Sequence, residues 1–173
     1  MVYKHNKDCE AVSREVFLVQ HSFSEVGDEV GHNSSMGNSE IILVRNDGAL
    51  ILMRRDDKQG ITNPGMVTAF GGKIEVGEEP LDAAYREIQE ETNLRPKKED
   101  LLFFRKYIKT KEIHGEDWDV YYFVLRDVDD SELEVYEGKG FVVANNLNEA
   151  LSLNLSTLFR EVVKDFLSNE NHL

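Results

Sequence analysis

The sequence predicts a mixed α/β fold, one β-sheet with helices packed on its faces. Three observations lead there. Short apolar runs bounded by turn residues recur along the chain, an amphipathic helical pattern interrupts them near the middle, and a second such pattern closes the sequence. At 173 residues, the chain is long enough to bury a core as one domain. No internal repeat and no linker suggests two. We expect a partly irregular extension over 1–38 and a single folded domain over 39–173.

In the extension only Val16–Val19 reads as a short strand; the stretch that follows is polar and rich in Gly and Ser. Ile41–Val44 and Leu50–Met53 flank Arg45-Asn46-Asp47-Gly48, a hairpin signal. After the turn at Asn63-Pro64-Gly65, Met66–Phe70 reads as a strand ending at Gly71-Gly72. Residues 79–92 read as a helix. Pro80 suits the first helical position, and Leu81, Ala84, Tyr85 and Ile88 make one apolar face. Pro96 helps to end it. Strands are expected over 101–109, 119–126 and 133–143. A last helix near 156–168 carries Leu158, Phe159, Val162, Val163, Phe166 and Leu167 at helical spacing.

Composition removes several classes of function. The net charge of −13 repels long nucleic acid and anionic lipid, and no basic cluster overcomes it. Cys9 is the only cysteine, which excludes an internal disulfide and a thiolate zinc site. No apolar run approaches the roughly 18 residues of a membrane helix, and the N-terminal residues lack the apolar core of a secretory signal. A cytoplasmic location is expected. A chain this acidic that handles phosphates needs a bridging cation, local Arg or Lys, or both.

Glu87, Glu90 and Glu91 stand at i, i+3 and i+4, so their carboxylates leave one side of the predicted helix, about a third of a turn from its apolar face. Ala83 lies on that ridge one turn earlier. Like charges so placed cost a few tenths of a kcal/mol per pair. Hard oxygen ligands are what Mg2+ or Mn2+ requires, and a bound dication reverses the repulsion. Taken alone, such a ridge is more often a solvated acidic face.

The surrounding residues change that balance. Gly72, Glu78, Arg86, Glu87, Ile88, Glu90, Glu91 and Leu94 fill, without a gap, a 23-residue pattern that resembles the Nudix box. Asn93 stands where the family has Gly, at a helix end where a left-handed conformation is usual and Asn tolerates it. The resemblance implies an α/β/α sandwich with a mixed sheet. It implies a box holding divalent ions through Glu87, Glu90 and Glu91, with a carbonyl oxygen of Gly71 or Gly72. It also pairs Glu78 with Arg86, for which the plainer reading is a surface ion pair.

Beyond the box the chain is similar to the MutT-type branch, which acts on nucleoside triphosphates. Phe70–Glu75 matches the segment leading into the box, with Phe70 in place of the branch's common Pro. Arg54, Arg55 and Lys73 match phosphate-side positions, Glu137 a late metal ligand or base, and Asn154 a base-reading Asn. The activity implied is Mg2+-dependent hydrolysis, with Mn2+ as a possible substitute, of a nucleoside diphosphate linked to another group. Nucleoside triphosphates, including oxidised ones, rank slightly above nucleotide sugars and dinucleoside polyphosphates; a non-catalytic nucleotide-binding module is the other reading. The partner is a small nucleotide, not a long nucleic acid or a membrane. Monomer and homodimer stay open, as does the base, a helix glutamate or Glu137. Phe70, Tyr107, Trp118 and Tyr121 are candidate stacking aromatics, each more ordinarily a core residue, and His114 is the best placed histidine.

Overall fold

The computed structural model describes residues 37–109 and 118–170. The expectations for Val16–Val19, Cys9, His114 and most of the 1–38 extension fall outside those residues.

The pattern folds into a seven-stranded mixed sheet. In chain order the elements are β1 (Gly37–Arg45), β2 (Leu50–Arg54), β3 (Val67–Thr68), β4 (Phe70–Lys73), α1 (Pro80–Glu91), a 3-10 turn at Lys98–Asp100, β5 (Leu102–Lys109), β6 (Trp118–Val128), β7 (Phe141–Ala144), α2 (Leu147–Ser152) and α3 (Thr157–Glu170). β1 is central. It runs parallel to β6 and antiparallel to β2 and β4; β5 lies beyond β6, and β3 and β7 pair with β2.

Both faces of β1 are buried, so its alternation sorts apolar side chains between two cores. Ile41 and Leu43 join Ile51, Met53, Phe70 and the α1 residues Ala84 and Ile88. Ile42 and Val44 join Leu50, Leu52 and the α3 residues Phe159, Val162, Val163 and Phe166. The result is an α/β/α sandwich, as expected. The β1–β2 hairpin has the anticipated turn, with the Gly48 N–H donating to Arg45 O at 2.9 Å and the Arg45 N–H to Ala49 O at 2.8 Å.

Three elements differ from expectation. Met66–Phe70 is not one strand: β3 pairs with β2, the chain crosses over at Ala69, and β4 pairs with β1. The single strand expected over 133–143 is also broken. Val135 only bridges Thr92, Gly138 and Gly140 take φ of +71° and +85°, and pairing resumes at Phe141. Helix α2 had no expectation. It is six residues long, too short to show a helical period, and is nucleated by Asn146, whose side chain accepts from the Glu149 N–H at 3.0 Å.

Candidate active site

Helix α1 is set on the sheet by its first turn. The buried Ser39 hydroxyl on β1 donates to Pro80 O at 2.6 Å. Ala83 and Ala84, both fully buried, let the helix approach closely. The box loop then folds back on the helix through Arg86. Its guanidinium grips Glu78 with two bonds, Nε to Oε1 at 3.0 Å and Nη2 to Oε2 at 2.9 Å. It also donates to Lys73 O at 3.1 Å, Glu87 Oε1 at 2.7 Å and Glu90 Oε2 at 3.0 Å. The two-bond grip draws the Glu78 carboxyl below its usual range.

The three glutamates of the ridge do not stand in equivalent surroundings. Glu90 is exposed. Glu87 is half-buried, and burial pushes its proton affinity up against the opposing pull of Arg86. Glu91 is 3% exposed, with Oε2 accepting from the Gly71 N–H at 2.7 Å. Burial pushes its pKa up to about 8, the Gly71 bond opposes, and the charges of Glu40, Glu87 and Glu137 add to the rise. The ridge is thus graded from solvent to interior, because the last turn of α1 slides under β4.

Glycine is required at two places here. Gly71 has φ +127°, and a Cβ on it would stand 2.2 Å from Ser39 O. A Cβ on Gly72 would stand 2.6 Å from the Glu87 carboxylate. The missing side chains let β4 lie between β1 and the acidic ridge.

An open cleft of about 540 Å³ holds most of the expected residues. Gly71, Gly72, Glu87, Glu91 and Glu137 line it, together with Arg55 and Lys73. Arg55 is braced by its Nε donating to Thr62 O at 2.9 Å. Glu137 reaches the cleft because Gly138 packs against Arg54, where a Cβ would meet Arg54 O at 2.3 Å. Arg54 itself is exposed and outside the lining, its backbone bonded to Lys139 and Gly140. Asn154 is also outside. Leu153 and Leu155 turn into the α3-side core, so alternation sends Asn154 to solvent, and only its carbonyl is used, accepting from the Val67 N–H at 2.8 Å. Of the candidate aromatics, Phe70 and Tyr107 are core, Tyr121 is partly buried, and Trp118 lines the cleft.

Asn93 corrects a further expectation. Its backbone is not left-handed; α1 ends at Thr92 in extended conformation, with the Thr92 hydroxyl donating to Ile88 O at 2.6 Å. The Asn93 side chain instead clamps the segment that leads to Glu137, donating to Glu132 O at 2.8 Å and accepting from the Glu134 N–H at 3.0 Å. Glycine cannot make either bond. Residues without an expected role also line the cleft, notably Asn38, Glu40 and Thr68. The only trace of Glu40 in the sequence is a carboxylate directly before four apolar strand residues.

The donor set suits a hard dication: carboxylate and carbonyl oxygens, with no sulfur or imidazole among the residues lining the cleft. The space kept beside Glu87 by Gly72 suits it too. Among the described residues no three acidic or histidine side chains converge on one point, since Glu87 and Glu90 are turned onto Arg86.

Residues 38–166 match the family model of the NUDIX domain. The chain belongs to the Nudix hydrolase family, whose members generally use a divalent metal and act on small nucleotides. Solved structures agree in fold. A MutT NUDIX hydrolase from Burkholderia pseudomallei is 20% identical, TM-score 0.59, over 76% of this chain and 97% of that one. The E. coli dihydroneopterin triphosphate pyrophosphohydrolase is 17% identical, TM-score 0.59, over 77% and 95%. A C. elegans Ap4A hydrolase is 17% identical, TM-score 0.61, over 80% and 99%. Among the described residues no helix is long and apolar enough to cross a membrane.

Proposed function

We propose that this Nudix chain catalyses Mg2+-dependent hydrolysis of a phosphoanhydride bond in a nucleoside diphosphate linked to a further group, with a nucleoside triphosphate, oxidised or not, as the preferred form. One observation carries the reading. The cation-binding type of group (Glu87, Glu91) and the phosphate-binding type (Arg55, Lys73) meet in one cleft of a molecule whose net charge of −13 otherwise repels nucleotides.

In this reading Glu87, Glu90 and Glu91, with a carbonyl oxygen of Gly71 or Gly72, hold the metal, and Glu137 adds a further carboxylate from the cleft lining. Mg2+ supplies charge neutralisation of the polyphosphate and acidification of a water. Arg55 and Lys73 orient the phosphates. Water oxygen bonds to phosphorus as the bridging P–O bond breaks. The water's proton passes to a cleft carboxylate, Glu137 or a helix glutamate, and the bridging oxygen leaves with its electron pair on the departing phosphate. Arg86 keeps the loop and helix together through Glu78, and so acts by positioning. Arg54 and Asn154 have no part.

The test is a panel of nucleoside triphosphates, nucleotide sugars and dinucleoside polyphosphates, assayed for product with Mg2+ and with EDTA, beside Glu90→Gln. We expect metal-dependent turnover of at least one triphosphate and a loss of about a hundredfold or more in the variant, the ~2.7–4 kcal/mol scale of a removed charge-stabilising group. Equal turnover in EDTA would overturn the reading. Nucleotide binding without turnover on the whole panel would instead identify a non-catalytic module.

A further inference from the structure

The segment that carries Glu137 is strung between two supports. At the β2 end, the Lys139 N–H donates to Arg54 O at 2.7 Å and the Arg54 N–H to Gly140 O at 2.9 Å. At the α1 end, the Tyr136 N–H donates to Glu91 O at 2.7 Å, and Val135 bridges Thr92. Residues 129–140 otherwise hold no strand or helix. Each residue of such a stretch is ordered against its conformational entropy, so Glu137 is only as fixed as the bonds on either side of it.

Asn93 extends the α1 support. Its backbone N–H donates to Glu134 O at 3.2 Å, its Nδ2 donates to Glu132 O at 2.8 Å, and its Oδ1 accepts from the Glu134 N–H at 3.0 Å. A side-chain amide carries both a donor and an acceptor. With its own N–H, this one residue therefore meets three backbone groups of a segment 39–41 residues away, as a strand partner would. Besides burial, the charge of Glu137 contributes to the raised proton affinity of both Glu87 and Glu91, so the three carboxylates lie within electrostatic reach of one another.

We propose that Asn93 is a positioning residue for Glu137: its amide staples 132–134 to the end of α1, holds the Glu137 carboxylate in place relative to Glu87 and Glu91, and so raises the affinity of the cleft for a divalent cation shared by these groups. The proposal rests on reading the carboxylates as the cation site of the hydrolase. The physical basis is preorganisation, since a carboxylate already held in place loses less freedom when a cation binds. Glycine, the usual residue of the box at this position, leaves the side-chain part of the staple unmade. By linkage, cation binding through Glu137 tightens the staple by the same factor that the staple tightens cation binding.

The Asn93 backbone is not left-handed, so Asn93→Ala removes both side-chain bonds without strain. The full chain is prepared as wild type, Asn93→Ala, Glu137→Gln and the double variant, and Mn2+ affinity without nucleotide is read from the EPR signal of the free ion. We expect Asn93→Ala to weaken Mn2+ by about tenfold, the scale of losing an outer support of a metal ligand. In the Glu137→Gln background the same change should weaken it by less than about twofold, because the carboxylate that Asn93 positions is gone. The urea midpoint in EDTA should shift equally in both backgrounds. An equal loss of Mn2+ affinity in both backgrounds overturns the proposal and leaves Asn93 a structural link only. Wild-type affinity in Asn93→Ala or in Glu137→Gln overturns it too, as does a wild type that takes up no Mn2+. If Asn93→Ala does not fold, the linkage is read from the Glu134 N–H, whose exchange Mg2+ should slow about tenfold in wild type and less than about twofold in Glu137→Gln. Equal slowing in the two, or none, overturns the proposal. No turnover on the triphosphate panel beside a Glu137-dependent effect of Asn93 sinks the hydrolytic reading alone; turnover beside equal losses in both backgrounds sinks Asn93 alone.

Discussion

Helices α1 and α3 cover opposite faces of one sheet and bury different chemistry. The α3 face closes on Phe159, Val162, Val163 and Phe166, and its polar anchor stays at the edge, where Asp165 accepts from Tyr107 Oη at 2.6 Å and Arg105 Nη1 at 2.5 Å. The buried set of α1 is Ala83, Ala84, Ile88 and Glu91. Two of those four contribute little apolar area, and one is a carboxylate with a pKa of about 8. One face is built for cohesion; the other gives up cohesion to keep a charge site against the sheet.

The largest effect should come from the cohesive face. Phe159→Ala removes a fully buried ring and should cost about 3–5 kcal/mol in urea unfolding. A cost no greater than that of a surface change would erase the contrast. On the other face, the pH dependence has the opposite sign from that of an ordinary paired carboxylate. The folded Glu91 pKa of about 8 lies above its usual 4.5, so the folded state binds more protons between those values and stability falls as pH rises through that window. The loss should be on the order of a few kcal/mol in EDTA, and Glu91→Gln should flatten it. Added Mg2+ should restore stability to wild type at pH 8 but not to the variant, because an ion bound only by the folded state stabilises it. A wild-type stability that rises between pH 5 and 8 in EDTA would contradict the assignment.

Next in size is Asn93→Gly, which restores the residue usual in the box but removes both side-chain bonds to 132–134. We expect a loss of about 1–2 kcal/mol and faster hydrogen exchange of the Tyr136 N–H, which donates to Glu91 O at 2.7 Å. Smallest of all, Lys164→Ala deletes an exposed i,i+3 pair with Glu161 on α3 and should change stability by less than about 0.5 kcal/mol.

The same contrast explains what could be read without the structure. The α3 face was visible because Phe159, Val162, Val163 and Phe166 repeat with the helical period. On the α1 face, the box showed as identities at fixed offsets, and the Glu78–Arg86 pair and the Gly71-Gly72 approach follow from them. Hidden were the grading of Glu87, Glu90 and Glu91, the separation of Arg55 from Arg54, and the exit of Asn154. Each depends on where a strand ends or switches partner, as at Ala69 and at Gly138–Gly140.

From its sequence alone this protein had its family, a mixed sheet with helices on its faces and the composition of its acidic helix settled, because each is written in short-range periodicity or in residues close along the chain. The structure alone decided that Glu91 is buried while Glu90 is not, that Asn93 clamps the Glu137 segment, and that Trp118, Asn38 and Glu40 meet. Those are consequences of strand register and of contacts across 20–80 residues of chain. Such contacts leave no local pattern, since any polar residue in the right register makes them.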